Sequence, residues 1–326
     1  MMRFVVSAAL AVSLVTIGAA RAEEKLTVPG YAPKSGVAYV VRSSSIMTNA
    51  FDGSGTLPKG EKIDRLDLRH RQVATSTASG TWREVWTLDL DGAAARAALG
   101  RAEPTSPTDA YRRSMSIWGA ERLELDVDAA GMATKLLGTD AILARARAEL
   151  AAVPGGAGET SPAAQIVAAF AKEPLTLLDI LLPEHRIFAA LQAPAAHEVT
   201  VGATWTQEGG DVVRGVPLPK KTIFVVDGLT PDRRAVSVSW HDEIDHEDLS
   251  RTFAPLLDQG IAALRARGTE PTAAQRAALG EVRLSNAGRV VISLDTGMAI
   301  AAEHTRSARF GEVTTTVVSK IERLPE

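Results

Sequence analysis

The run VVISLDTGMAIAAE (Val290–Glu303) decides how this chain folds. Its two apolar stretches flank Asp295-Thr296-Gly297, a tripeptide with two readings. In an aspartic protease it carries a catalytic carboxylate, which works only beside a second one with which it shares a proton. In a hairpin, Asp accepts backbone hydrogen bonds and Gly supplies a positive φ, so the same letters close a tight turn. Two features favour the turn. Met298 is bulky where a protease loop takes a small residue, and no second Asp-Thr-Gly or Asp-Ser-Gly occurs. The tripeptide therefore predicts antiparallel sheet on either side and no catalytic residue.

Working outward, alternation marks more strands. Val37–Ile46 is rich in β-formers, and TWREVWTLDL (81–90) sets Trp82, Trp86, Leu88 and Leu90 on one face, with Arg83, Thr87 and Asp89 on the other. KIDRLDLRHRQV (62–73) mixes charges along a strand, as cross-strand pairs on a solvated face would. Leu123, Leu125 and Val127 lead through Asp128–Gly131 into Met132–Leu137, a hairpin. VTVGATW (199–205), KTIFVVDGL (221–229) and RAVSVSW (234–240) are further strands. Four more are expected at the end of the chain, Glu281–Ser285, Arg289–Leu294, Met298–Arg306 and Glu312–Leu324, with Asn286-Ala287-Gly288 as a turn. LELDVDAAGMATKL and VVISLDTGMAIAAE echo one another, which suggests two related β-meanders.

Helical periodicity is concentrated in two places, with a further short helical piece near Thr272–Leu279. TDAILARARAELAAV (139–153) opens at Thr139 or Asp140 as a cap and lines up Ile142, Leu143, Ala146 and Leu150. After the break PGGAGET (154–160), Ser161-Pro162 starts a second helical region that is apolar on nearly every side up to Leu191. The other place is His246–Arg267, with Leu249, Phe253, Leu257 and Leu264 in one stripe and Pro255 as a kink. Grouped strands and grouped helices give an α+β class: a curved antiparallel β-sheet, compatible with a half-barrel, with a helical insertion.

The first residues carry Arg3, an apolar run and Ala20-Arg21-Ala22, the pattern of a cleavable secretory signal over residues 1–22. The remainder divides into an N-terminal β-rich part (23–138), the helical insertion (139–197) and a C-terminal α+β part (198–326) ending in a β-meander. There is no Cys, hence no lipoprotein Cys and no disulfide. These features predict a periplasmic protein with no membrane span after signal cleavage. A net charge of −3 without a basic block gives no electrostatic case for nucleic acid.

Candidate sites are few. HDEIDHED (241–248) gathers two His and five carboxylates, and His241, Asp245 and His246 are the residues that could ligate Zn or Mn. The spacing matches no metal signature, and a helix start explains it better, with Asp245 as cap and acids in the first turn. The other four His, at 70, 185, 197 and 304, are scattered singly. In the helical insertion, Ile166, Phe170, Leu178, Leu181 and Phe188 are candidates to line a cavity for a lipid or other apolar ligand, or to pack a plain core.

VTVGATW and GRVVISLDTGMAI (288–300) resemble the closing part of uncharacterised secreted bacterial proteins. The wider pattern is similar to periplasmic half-barrels of the lipoprotein-carrier type, a curved sheet wrapped around helices. That resemblance implies no catalytic residue and no cofactor. The expectation is a periplasmic non-enzymatic binding protein for an apolar ligand or an envelope partner. The alternatives are a metal-dependent hydrolase centred on 241–248 and a structural envelope component.

Overall fold

The computed structural model describes residues 25–53, 58–89, 121–151, 170–191, 197–213, 216–245, 282–311 and 313–326, with single positions and short runs at 115–118, 167–168 and 247–272. The expected signal, the break at 154–160, Ile166, and the side chains of Leu150 and His246 lie outside the described residues. The described residues are predominantly β, with 57% of them in strands, so the helical insertion is smaller than the α+β expectation implied. No described helix is long and apolar enough to cross a membrane.

Among the described residues there are thirteen strands: β1 (Lys25–Val28), β2 (Ala38–Phe51), β3 (Gly60–Ser76), β4 (Trp82–Leu88), β5 (Arg122–Val127), β6 (Ala133–Leu136), β7 (His197–Thr200), β8 (Thr204–Val213), β9 (Val216–Leu229), β10 (Ala235–Glu243), β11 (Val282–Ser293), β12 (Ala299–Phe310) and β13 (Val313–Pro325). Strands β1 and β7 pair separately, and the other eleven form one antiparallel sheet in the order β6-β5-β4-β3-β2-β13-β12-β11-β10-β9-β8. Two meanders thus meet at a seam, where β2 pairs with β13 from Tyr39↔Pro325 to Phe51↔Val313.

A short strap shows how strongly this sheet curls. Tyr31 N–H donates to Ala129 O in the β5–β6 turn (3.2 Å), and the next residue, Ala32, donates to Thr296 O in the β11–β12 turn (2.8 Å). Strands β5 and β12 stand five places apart in the sheet order. At about 4.8 Å per place, a flat sheet would hold them about 24 Å apart. Consecutive Cα atoms are only about 3.8 Å apart, so a flat sheet is excluded. The sheet is open and curved, and its concave face carries the main core.

The Asp-Thr-Gly tripeptide is a turn. Gly297 N–H bonds Ser293 O, Ser293 N–H bonds Met298 O, and Gly297 has φ +62°. A Cβ there would lie 2.2 Å from Pro29 O and 2.3 Å from Gly30 O, so the strap crosses directly over the glycine. Asp295 is exposed and paired with Arg234 at 3.2 Å. The expected turn at Asn286-Ala287-Gly288 is instead uninterrupted β11. Gly288 is needed there because a Cβ would meet the Trp240 ring at 2.9 Å and Glu303 O at 2.2 Å.

The charges of β3 pair across strands only in part. Lys62–Asp64 (3.1 Å) and Arg65–Asp67 (2.8 Å) are neighbours along one strand face, whereas Arg69 reaches Asp89 and Arg71 reaches Glu326 at the ends of adjoining segments.

The helical insertion sits between the meanders. Helix α1 (Thr139–Ala151) buries Ile142, Leu143 and Ala146, the expected stripe. Thr139 is the first residue of the helix and its hydroxyl donates to Leu136 O at 2.7 Å, while the first helical bond runs from Ile142 N–H to Gly138 O at 3.1 Å, so the helix starts from Gly138. The apolar region that follows is broken into a 3₁₀ turn (Pro174–Leu177), α2 (Leu178–Leu181) and α3 (Pro183–Leu191). Pro183 explains the break, since the preceding residue is driven out of the helical region, and Leu182 has φ −150°, ψ 61°. At the far end of the sheet, Leu249 and Phe253 pack on Val282 and Leu284 in a second, smaller core.

Candidate functional site

Strand parity builds a buried polar cluster on the concave face. Glu84, between Trp82 and Trp86, shares their inward parity on β4, as His70 and Gln72 share that of Leu68 and Ala74 on β3. Arg323 follows Ile321 inward on β13, Tyr31 enters from the strap, and Glu184, His185 and Phe188 descend from α3. Every one of these polar side chains belongs to a residue at most 4% exposed.

Glu84 is the hub. Tyr31 Oη–H donates to Glu84 Oε1, and Trp86 Nε1–H donates to Glu84 Oε2 at 2.7 Å. His185 Nε2 lies 3.7 Å from the same Oε2. Arg323 donates from Nη1 to Ala299 O at 2.7 Å, and its guanidinium carbon sits 4.3 Å from the centre of the Phe188 ring. Ser43 Oγ donates to Glu184 Oε1 at 2.5 Å, tying α3 to β2. Burial, then the Glu84 charge, pushes the Tyr31 phenol well above its ordinary range. Burial lowers His70, with Glu184 opposing, and lowers Arg323, with Tyr31 and Glu84 opposing.

The two histidines that seemed isolated in the sequence meet the same indole. His70 and His185 each approach Trp86 edge-to-face, at 6.2 and 5.9 Å between centroids. The signal was a charged or amide residue at an inward parity position, visible for Glu84 between two tryptophans. Both Glu84 oxygens already accept hydrogen bonds, so the arrangement acts as a clasp joining strap, sheet and α3.

A second polar network lies near the end of β10. Asp242, its side chain fully buried, accepts from Lys220 Nζ (2.8 Å), Thr222 Oγ1 (2.6 Å) and Asn286 Nδ2 (2.6 Å). Asn286 Oδ1 in turn meets His304 Nε2, and the His304 ring stacks on Trp240 at 5.5 Å.

The metal candidates separate. His241 is exposed on the opposite face of β10 from Trp240 and Asp242, while Asp245 lies beyond the strand end. The Asp245 carboxylate accepts the Glu247 N–H at 2.7 Å, the helix-start arrangement. Asp245 also lines a cleft of about 580 Å³ with Glu208, Glu243, Lys220 and Lys221. Among the described residues, no group of three His, Asp or Glu is placed to hold a metal.

Of the cavity-lining candidates, Leu178, Leu181 and Phe188 are buried in the main core, and Phe170 is half-buried, edge-to-face with Trp118 at 5.7 Å. A larger cleft, about 640 Å³, opens beside them. It lies between β6, the first turn of α1 and the 3₁₀ turn, walled by Leu136, Leu137, Leu143, Pro174 and Leu175, with Lys135, Asp140 and Arg147 at its polar side.

No family model matches the chain, and no curated protein matches it. One structurally similar chain comes from a study of lipid–protein interactions in lipovitellin, at 11% identity and TM-score 0.37, covering 90% of this chain and 25% of that one. This chain therefore spans about a quarter of the lipovitellin chain. Another comes from engineered proteins of asymmetric conductivity, at 9% identity and TM-score 0.21, covering 88% of this chain and all of that one. At these scores neither similarity carries an argument about fold or function.

Proposed function

We propose that this is a periplasmic, non-enzymatic binding protein that holds an apolar ligand in the cleft between β6, α1 and the 3₁₀ turn. The observation that carries the reading is the cleft itself. Its volume, about 640 Å³, falls within the roughly 300–1,000 Å³ of small-molecule sites, and leucines and a proline form its walls. The periplasmic assignment rests on the leader pattern at residues 1–22.

Native mass spectrometry of protein recovered from a periplasmic extract tests this, with a denatured aliquot for comparison. The expected result is an organic adduct lost on denaturation and reduced when Leu175→Trp fills the cleft. A bare apo mass in both variants, with no uptake of added long-chain alcohol, would overturn it.

A further inference from the structure

We propose that the cleft selects an anionic amphiphile, with its apolar chain along Leu143 and Leu175 and its carboxylate or phosphate held by Lys135 and Arg147. This deepens the apolar-ligand reading and rests on it.

The argument begins on β5. Lys135 stands opposite Asp126 in the β5–β6 register, so Asp126 is its natural ion-pair partner. That carboxylate is engaged from the other side. Arg83 of β4, also opposite Asp126, donates to its Oδ1 from Nε at 3.0 Å and from Nη2 at 2.8 Å. Lys135 makes no ion pair among the described residues, and neither does Arg147 of α1. Most exposed cations along the neighbouring strands are paired, including Arg65, Arg69, Arg71, Arg83 and Arg122. Two uncommitted cations at one apolar cleft are therefore a local feature, opposed by a single acid, Asp140.

The helix start adds to this preference. Gly138, Thr139 and Asp140 line the cleft, so the first turn of α1 turns the positive end of its dipole toward it. An apolar wall ending in two cations and a helix start complements a ligand with a hydrocarbon chain and one anionic head. A neutral lipid would leave the cations unused.

Equilibrium dialysis of delipidated protein against tetradecanoic acid, tetradecyl phosphate and tetradecanol tests the selectivity at near-neutral pH. The wild-type protein is expected to bind at least one anionic ligand about tenfold tighter than the alcohol, and the stronger of the acid and the phosphate identifies the head group. Lys135→Glu/Arg147→Glu is expected to remove that preference and leave alcohol binding within about twofold, with an unchanged melting temperature to verify folding. Equal binding of acid, phosphate and alcohol by the wild-type protein, unaltered by charge reversal, would overturn this inference and leave the apolar-ligand reading standing. Binding of none of the three would overturn both.

Discussion

Replacing Glu84 with Gln tests whether the buried clasp holds the molecule together. The carboxylate accepts from the Tyr31 hydroxyl and from Trp86 Nε1–H, at 2.7 Å for the latter, in a site where Glu84 is 1% exposed. A hydrogen bond to a buried charge contributes about 1.5–3 kcal/mol, and a neutral one about 0.5–1.5. Two such bonds weakened together cost about 2 kcal/mol. The substitution also takes a countercharge from Arg323, which is 4% exposed, and breaking one side of a buried ionic arrangement costs about 3–5 kcal/mol in all. Arg323 keeps Ala299 O and the Phe188 face, so the lower end applies, about 3 kcal/mol. Urea unfolding should show that loss as a lower midpoint with an unchanged slope, and melting of a 326-residue chain should fall by roughly 4–5 °C. Arg83→Gln, which breaks an exposed pair with Asp126, serves as the contrast and should cost under about 1 kcal/mol. If Glu84→Gln cost no more than that control, the clasp would not be a major source of stability.

Two further perturbations follow from the same geometry. Burial lowers the His70 pKa, so its neutral form belongs to the folded state; its contribution is complete above about pH 6.5 and is lost as pH falls toward the folded value. His70→Gln should flatten the stability–pH curve on the acid side of neutrality, and parallel curves for the two proteins would contradict this. Gly297→Ala must put a Cβ 2.2 Å from Pro29 O at φ +62°, so it should cost more than about 2 kcal/mol and expose the strap to hydrogen exchange ahead of the sheet. Uniform exchange across strap and sheet would show that the strap is not separately anchored by that turn.

What the sequence disclosed depended on whether a residue's role was local. The Asp-Thr-Gly turn, the stripe on α1 and the Asp245 helix start were legible because each follows from neighbours within a few positions. Gly288 was misread because its reason is the Trp240 ring on the adjacent strand, which no local pattern announces. The Glu84 cluster draws on β2, β3, β4, β13, the strap and α3, so only its parity was visible. In TWREVWTLDL an acid occupies an inward position between tryptophans, which requires partners from elsewhere if that face is buried. The open cations at the α1 cleft were hidden for a related reason, since Lys135 loses Asp126 to Arg83 only once three strands are in register.

The echo between LELDVDAAGMATKL and VVISLDTGMAIAAE now has a physical basis that does not require duplication. Counted from the seam, β5 and β6 are the fourth and fifth strands of one meander, whereas β12 and β11 are the second and third of the other. The two hairpins are therefore not equivalent by position. Their turns nevertheless do the same work, because in each the residue after the Asp, Ala129 or Thr296, offers its carbonyl to the strap. The aspartates differ. Asp128 accepts the Ala130 and Met132 N–H groups at 2.9 Å, while Asp295 pairs outward with Arg234. Each turn must present one carbonyl outward and then reverse the chain, and Asp followed closely by Gly does this on either strand pair. With both carbonyls held by consecutive residues, the strap sets the distance between the β5–β6 and β11–β12 turns and hence the curvature of the face on which Glu84 and the helices sit.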